Sequence, residues 1–106
     1  MLFHSTRGGD KDKDFASILM QGLADDGGLF MPDHWPQVDL EKIKGLQSFV
    51  EVAKEIVPLF TSSSFTQAET IKIVENTWHD FEHQDLVGIQ TIENISVLEL
   101  FHGPTA

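Results

Sequence analysis

The sequence predicts an α+β fold: a small domain of about three helices with a few short β-strands, and a last strand that opens something further. Three observations predict it. Two Ser/Thr-x-x-Glu patterns, Ser48 to Glu51 and Thr66 to Glu69, each open a run whose apolar residues recur three and four apart. Short extended runs, Leu29–Met31, Ile89–Ile92 and Val97–Phe101, lie outside those runs. Helices and strands do not alternate as a long βαβ series requires.

From the N-terminus, Arg7 to Asp14 is a polar loop, because two glycines and alternating charges cannot bury a face. Asp14 is placed to cap a first helix with Phe15, Ile18, Leu19 and Leu23 on one face. Gly22 weakens that helix near its end, by up to about 1 kcal/mol relative to alanine. Asp25 to Gly28 is a turn. Leu29–Met31 is a short strand, since Pro32 pushes the residue before it toward extended angles. Trp35, in the Pro32 to Pro36 loop, is expected to cover the edge of the core.

Asp39 can cap one short turn through Ile43 and Leu46. The helix after Ser48 is expected to bury Phe49, Val52, Ala53, Ile56 and Phe60, with Pro58 ending or kinking it. The helix after Thr66 places Ala68, Ile71, Val74 and Trp78 on one face, with Phe81 close behind. Gly88 reads as a breaker before the last two strands.

Composition narrows the function classes. The 106 residues make one domain or one piece of a larger protein. The formal net charge is −10, with only seven Lys and Arg, so nucleic acid and anionic membrane are poor partners. Cysteine is absent, which excludes disulfides, thiolate zinc sites and a cysteine nucleophile. No apolar run approaches the roughly 20 residues that span a bilayer. The first residues lack the charged-then-apolar pattern of a signal peptide. The expectation is a cytoplasmic protein.

Several constellations invite chemistry. His79 and His83 stand four apart, a spacing zinc can use, but no glutamate occupies the metalloprotease position, and a solvated helix end explains them more simply. Asp10, Asp12 and Asp14 alternate like a calcium loop, yet Phe15 and Gln21 stand where its glycine and final glutamate belong. Neither glycine pair has the spacing of a phosphate loop. No metal site is expected. Ser5, Thr6 and Arg7 offer two hydroxyls and the chain's only arginine, whose planar fork suits phosphate or carboxylate. At the other end, a strand, a Gly103-Pro104 turn and Thr105 at a helix start form a common frame for a ligand site, with His102 at its mouth.

Three segments, in this order and spacing, closely resemble the N-terminal region of threonine synthases: Ser5-Thr-Arg-Gly8, Gln21-Gly-Leu-Ala-Asp-Asp-Gly-Gly-Leu-Phe-Met-Pro32 and Leu98-Glu-Leu-Phe-His-Gly-Pro-Thr105. The last is the most specific. In that family it runs into a Phe-Lys-Asp segment whose lysine holds pyridoxal 5′-phosphate (PLP). This chain would stop just before it, since its last lysine is Lys72.

The resemblance implies a division into residues 1–94, the N-terminal domain, and 95–106, the first strand and turn of a PLP fold-type II catalytic domain. It implies a parent that converts O-phospho-L-homoserine and water to L-threonine and phosphate, and a fragment inactive by itself. No catalytic residue falls within this chain. His102, Gly103 and Thr105 would border the cofactor, and Ser5, Thr6 and Arg7 would approach the substrate. The fragment's partner would be the rest of the same polypeptide. Two alternatives stay open: an acidic protein-interaction module, and a threonine-synthase-like paralogue acting on another phosphorylated substrate. Val97–Phe101 is expected either as an exposed edge or paired with Phe3 and Leu29-Phe30, and the fragment as dimeric or frayed from Asn94 onward.

Overall fold

A computed structural model describes residues 1–79 and 88–99, with only the backbone of His79. The element order is β1 (Phe3–Ser5), α1 (Phe15–Gln21), β2 (Phe30–Pro32), α2 (Leu40–Lys44), α3 (Phe49–Thr61), α4 (Gln67–His79), β3 (Gly88–Ile92) and β4 (Ile95–Glu99). The mix is α+β, as the sequence implies. Phe81, His83, Phe101, His102, Gly103 and Thr105 lie outside the described residues.

The helix starts follow from local chemistry. Asp14 accepts from Ser17 N at 2.7 Å, and Asp39 accepts from Glu41 N and Lys42 N. Ser48 and Glu51 form a reciprocal capping box, and so do Thr66 and Glu69. α1 has a second device that binds it to the fold. Its first backbone N–H groups, at Phe15 and Ala16, donate to the hydroxyls of Ser63 and Ser64, from the turn after α3. These donors have no partner within their own helix, so the turn satisfies them.

The core is small. Among the described residues, Phe3, Ala24, Ala53 and Val74 are the buried apolar ones. Phe15 bridges Phe3 and Phe65, with ring centroids 6.2 Å apart on each side. α3 packs on α4, where the buried hydroxyls of Thr61 and Thr70 meet at 2.9 Å. Trp35 lies edge-on to Phe60 at 6.4 Å while remaining largely exposed, which fits a lid on the core edge.

Four expectations are refined or corrected. Of the two outcomes expected at Pro58, an end to the helix is not found: α3 runs on to Thr61. Proline removes one helical donor, and packing against α4 together with the bond from Thr61 Oγ1 to Val57 O holds the last turn. Phe49 is exposed rather than buried: it meets Trp78 edge-on at 5.1 Å yet stays 48% exposed. β3 begins one residue earlier than Ile89, at Gly88, opposite Glu99. Finally, β4 begins at Ile95 and pairs with β3, while β1 pairs with β2. The strand around Val97 therefore does not pair with Phe3 or Leu29-Phe30. The hairpin turns at Glu93 and Asn94, where Glu93 takes a φ of 56°. Tight hairpin turns favour such left-handed residues because their twist matches the strands.

Candidate functional site: a loop joined to a turn

β1 and β2 run antiparallel, with Ser5 opposite Phe30. That pairing brings the Ser5-Thr6-Arg7 loop against the Asp25 to Leu29 turn. Thr6 N donates to Leu29 O at 2.9 Å, and Leu29 N donates to Thr6 Oγ1 at 3.0 Å. Asp26 is the hub. Its Oδ1 accepts from Ser5 Oγ at 2.7 Å and from Gly28 N at 2.8 Å, and its Oδ2 accepts from Gly9 N at 2.7 Å. Its backbone carbonyl accepts from Arg7 Nη1 at 3.0 Å.

Next to it, Asp10 takes the Asp25 N–H at 2.9 Å and the Gln21 side chain at 3.3 Å, and pairs with Lys13 at 3.4 Å. Asp10 and Asp14 of the calcium-like series therefore already have protein partners.

The predicted substrate residues are thus brought together, with different freedoms. Ser5 is 2% exposed. Its hydroxyl donates to Asp26 and accepts from Arg7 N at 3.1 Å, so it holds backbone in place. Thr6 ties the loop to Leu29. Arg7 is exposed. His102, Gly103 and Thr105 lie outside the described residues, as do His83 and the side chain of His79. Among the described residues, no three His, Cys, Asp or Glu side chains gather as a metal site. An open cleft of about 430 Å³, lined by Met1, His34, Pro58, Phe65 and Gln67 among others, holds none of the predicted site residues. No helix among the described residues is long and apolar enough to cross a membrane.

Sequence reading missed Asp26 and Gly28 as parts of the site. Asp25-Asp-Gly-Gly28 is visible as a turn, but its bond to Ser5 joins residues 21 apart.

The carboxylates here are stabilised as anions. Asp26 sits below its ordinary value of 3.8, chiefly through the Ser5 hydroxyl and then the Gly28 N–H, with Gly9 and the Arg7 charge adding and partial desolvation opposing. Asp10 is lowered too, chiefly by the Asp25 N–H. A lowered folded pKa means that the unfolded chain takes up protons first on acidification. These groups therefore contribute their full stability above 3.8 and lose it as pH falls through the lower folded values. In urea titrations, Asp26→Asn is expected to destabilise the chain at neutral pH, with the gap to wild type narrowing as pH drops below 3.8. A gap independent of pH would contradict this assignment.

Comparison with known proteins gives the same family from two directions. The family described as "Threonine synthase N terminus" matches residues 2–78. The chain is 38% identical over 105 residues to the threonine synthase of Schizosaccharomyces pombe, covering 95% of this chain and 20% of that protein. It is 37% identical to threonine synthase-like 2 of Xenopus laevis, covering 99% of this chain and 23% of that one. Its fold superimposes on PLP-bound threonine synthase from Brucella melitensis with a TM-score of 0.77 and 39% identity, over 96% of this chain and 23% of that one. The chain thus spans about a fifth of the length of the relatives it matches. With most of its residues matched and its fold shared, the chain belongs to the threonine synthase N-terminal family.

Proposed function

We propose that this chain is the N-terminal part of a threonine synthase, a PLP-dependent lyase that converts O-phospho-L-homoserine and water to L-threonine and phosphate in the cytoplasm. The family match over residues 2–78 carries the reading, and the fold shared with a PLP-bound threonine synthase supports it. In this reading residues 95–106 begin the cofactor domain, and His102, Gly103 and Thr105 border the cofactor. The Ser5–Arg7 segment faces substrate, with Ser5 holding the backbone and Thr6 and Arg7 nearer the ligand.

PLP, when bound, supplies the electron sink for such chemistry. The described residues do not by themselves fit it. Lys13, Lys42, Lys44 and Lys54 are paired with Asp10, Glu55, Glu41 and Glu75, and the exposed Lys11 and Lys72 stand on the N-terminal loop and α4. No step through the cofactor is assigned to them. The share of this domain is to build and hold one wall, and alone it does not catalyse.

A second reading is a paralogue that acts on another phosphorylated substrate, favoured by the 37% identity to threonine synthase-like 2. The test is an assay of the full-length parent with PLP and phosphohomoserine, reading threonine and phosphate separately. Both products in equal amount are expected, and none from the isolated chain. Phosphate without threonine would move the assignment to the paralogue. Neither product would overturn the first reading.

A further inference from the structure

We infer that Asp26-Gly27 is a latent isoaspartate site, held closed by the contact between the Ser5–Arg7 loop and the Asp25 to Leu29 turn, so that opening this contact exposes the hub to a covalent change. The inference does not depend on which substrate the parent uses.

The sequence supplies the chemistry. An aspartate followed by glycine readily closes a five-membered succinimide, because glycine has no side chain to hinder its own nitrogen. Asp26-Gly27 is the one Asp-Gly in the chain, and there is no Asn-Gly. The step balances without an added reagent. The Gly27 nitrogen bonds to Asp26 Cγ, the Cγ–OH bond of the protonated carboxyl breaks, and the hydroxyl leaves with the amide proton as water. Water then returns to one of the two ring carbonyls. Addition at Cγ restores aspartate. Addition at the main-chain carbonyl carbon breaks its bond to the Gly27 nitrogen, and the chain then runs through Cβ and Cγ as isoaspartate.

The fold restrains both reacting groups. The peptide unit between Asp26 and Gly27 is clamped at both polar atoms: Gly27 N donates to Ala24 O at 2.8 Å, and Asp26 O accepts from Arg7 Nη1 at 3.0 Å. Arg7 also lies over Gly27, with Nη1 3.1 Å from where a Cβ would stand. The carboxylate is held at both oxygens, Oδ1 by Ser5 Oγ and Gly28 N, and Oδ2 by Gly9 N. Ring closure must turn the Gly27 nitrogen onto Cγ, which breaks bonds on both sides. The same partners keep Asp26 ionised, and the anion is the unreactive form because it has no hydroxyl to lose.

Three of these restraints come from the loop, through Ser5, Arg7 and Gly9, so they are lost together when the loop leaves the turn. Local opening is fast relative to ring closure, so the rate tracks the population of the open form. The change also perpetuates itself. The added main-chain carbon moves the carboxyl away from Ser5 and Gly9, and the contact that guarded the bond cannot re-form.

The test is the rate of isoaspartate formation at residue 26 in the full-length parent at neutral pH. It is read in the tryptic peptide from Asp14 to Lys42, by enzymatic methylation of isoaspartate and by loss of the cut that an aspartate-specific protease makes before residue 26. The folded wild-type parent is expected to accumulate isoaspartate much more slowly than the same protein unfolded in urea. Ser5→Ala removes one hydrogen bond to a charged carboxylate, and is expected to raise the folded rate about tenfold, equivalent to about 1.4 kcal/mol. Thr6→Val frees Leu29 N without touching Asp26; it is expected to raise the rate in the same direction and serves if the Ser5 variant fails to fold. Equal rates in folded and unfolded parent would overturn the inference, since the fold would then guard nothing. So would an unfolded parent that forms no isoaspartate at residue 26, or folded Ser5→Ala and Thr6→Val proteins that change no faster than wild type.

Discussion

Gly28→Ala is expected to cost the chain about 3 kcal/mol of stability, a large share of what a domain this size possesses. The cause is space, not backbone angle, since Gly28 does not sit at positive φ. A Cβ there would collide with Ser5 Oγ, Asp26 Oδ1 and Thr6 Oγ1 together. Ser5 cannot swing into solvent, because it is buried and also accepts from Arg7 N. The methyl would therefore break the Ser5–Asp26 bond or push the turn away from β1.

Gly8→Ala is the matched comparison. Gly8 has a φ of 83°, but a Cβ there meets nothing within 4 Å. Its cost should be the left-handed backbone term alone, about 1 kcal/mol. Urea denaturation of both variants reads the difference directly. Equal losses would mean that the contact between loop and turn is not what Gly28 provides. The functional consequence follows the same line. The turn carries the carbonyl that anchors Arg7, so a displaced turn should free the Arg7 side chain from Asp26 as well.

How much of this was legible depended on distance along the chain. The caps at Asp14, Asp39, Ser48 and Thr66 were readable because each meets an N–H two or three residues on. The β3–β4 pairing was not. Its turn residues, Glu93 and Asn94, carry none of the glycine that marks a tight hairpin. Pro58 left two outcomes open because intrinsic propensity is a local term, whereas packing on α4 is not. Phe49 misled for a related reason: an apolar residue at the start of a helical stripe states that a face can be buried, not what buries it. The site behaved in the same way. Ser5-Thr6-Arg7 and Asp25-Asp-Gly-Gly28 each stood out alone, but only the antiparallel register of β1 and β2 makes them one object.

That dependence on β1 sets the second large effect. Phe3→Ala is expected to lose about 3–5 kcal/mol, the range for removing a buried aromatic ring. Phe3 is 5% exposed, sits two residues before Ser5, and starts the Phe3–Phe15–Phe65 ring series. Its backbone bonds with Lys13, at 2.8 and 3.0 Å, survive the substitution, so the loss isolates the side chain. Phe49→Ala provides the contrast, because Phe49 is 48% exposed and touches chiefly Trp78, at 5.1 Å. It should cost about 1 kcal/mol, mostly its edge-on ring contact. The same variants should separate in amide exchange. Phe3→Ala is expected to speed exchange at Thr6 and Gly8, whose N–H groups bond Leu29 O and Ser5 O, while Phe49→Ala leaves them unchanged. Equal losses of stability, or unchanged exchange at Thr6 in a folded Phe3→Ala chain, would show that the ring cluster does not support the loop. The Ser5–Arg7 loop would then have to draw its rigidity from the Asp26 hydrogen bonds alone.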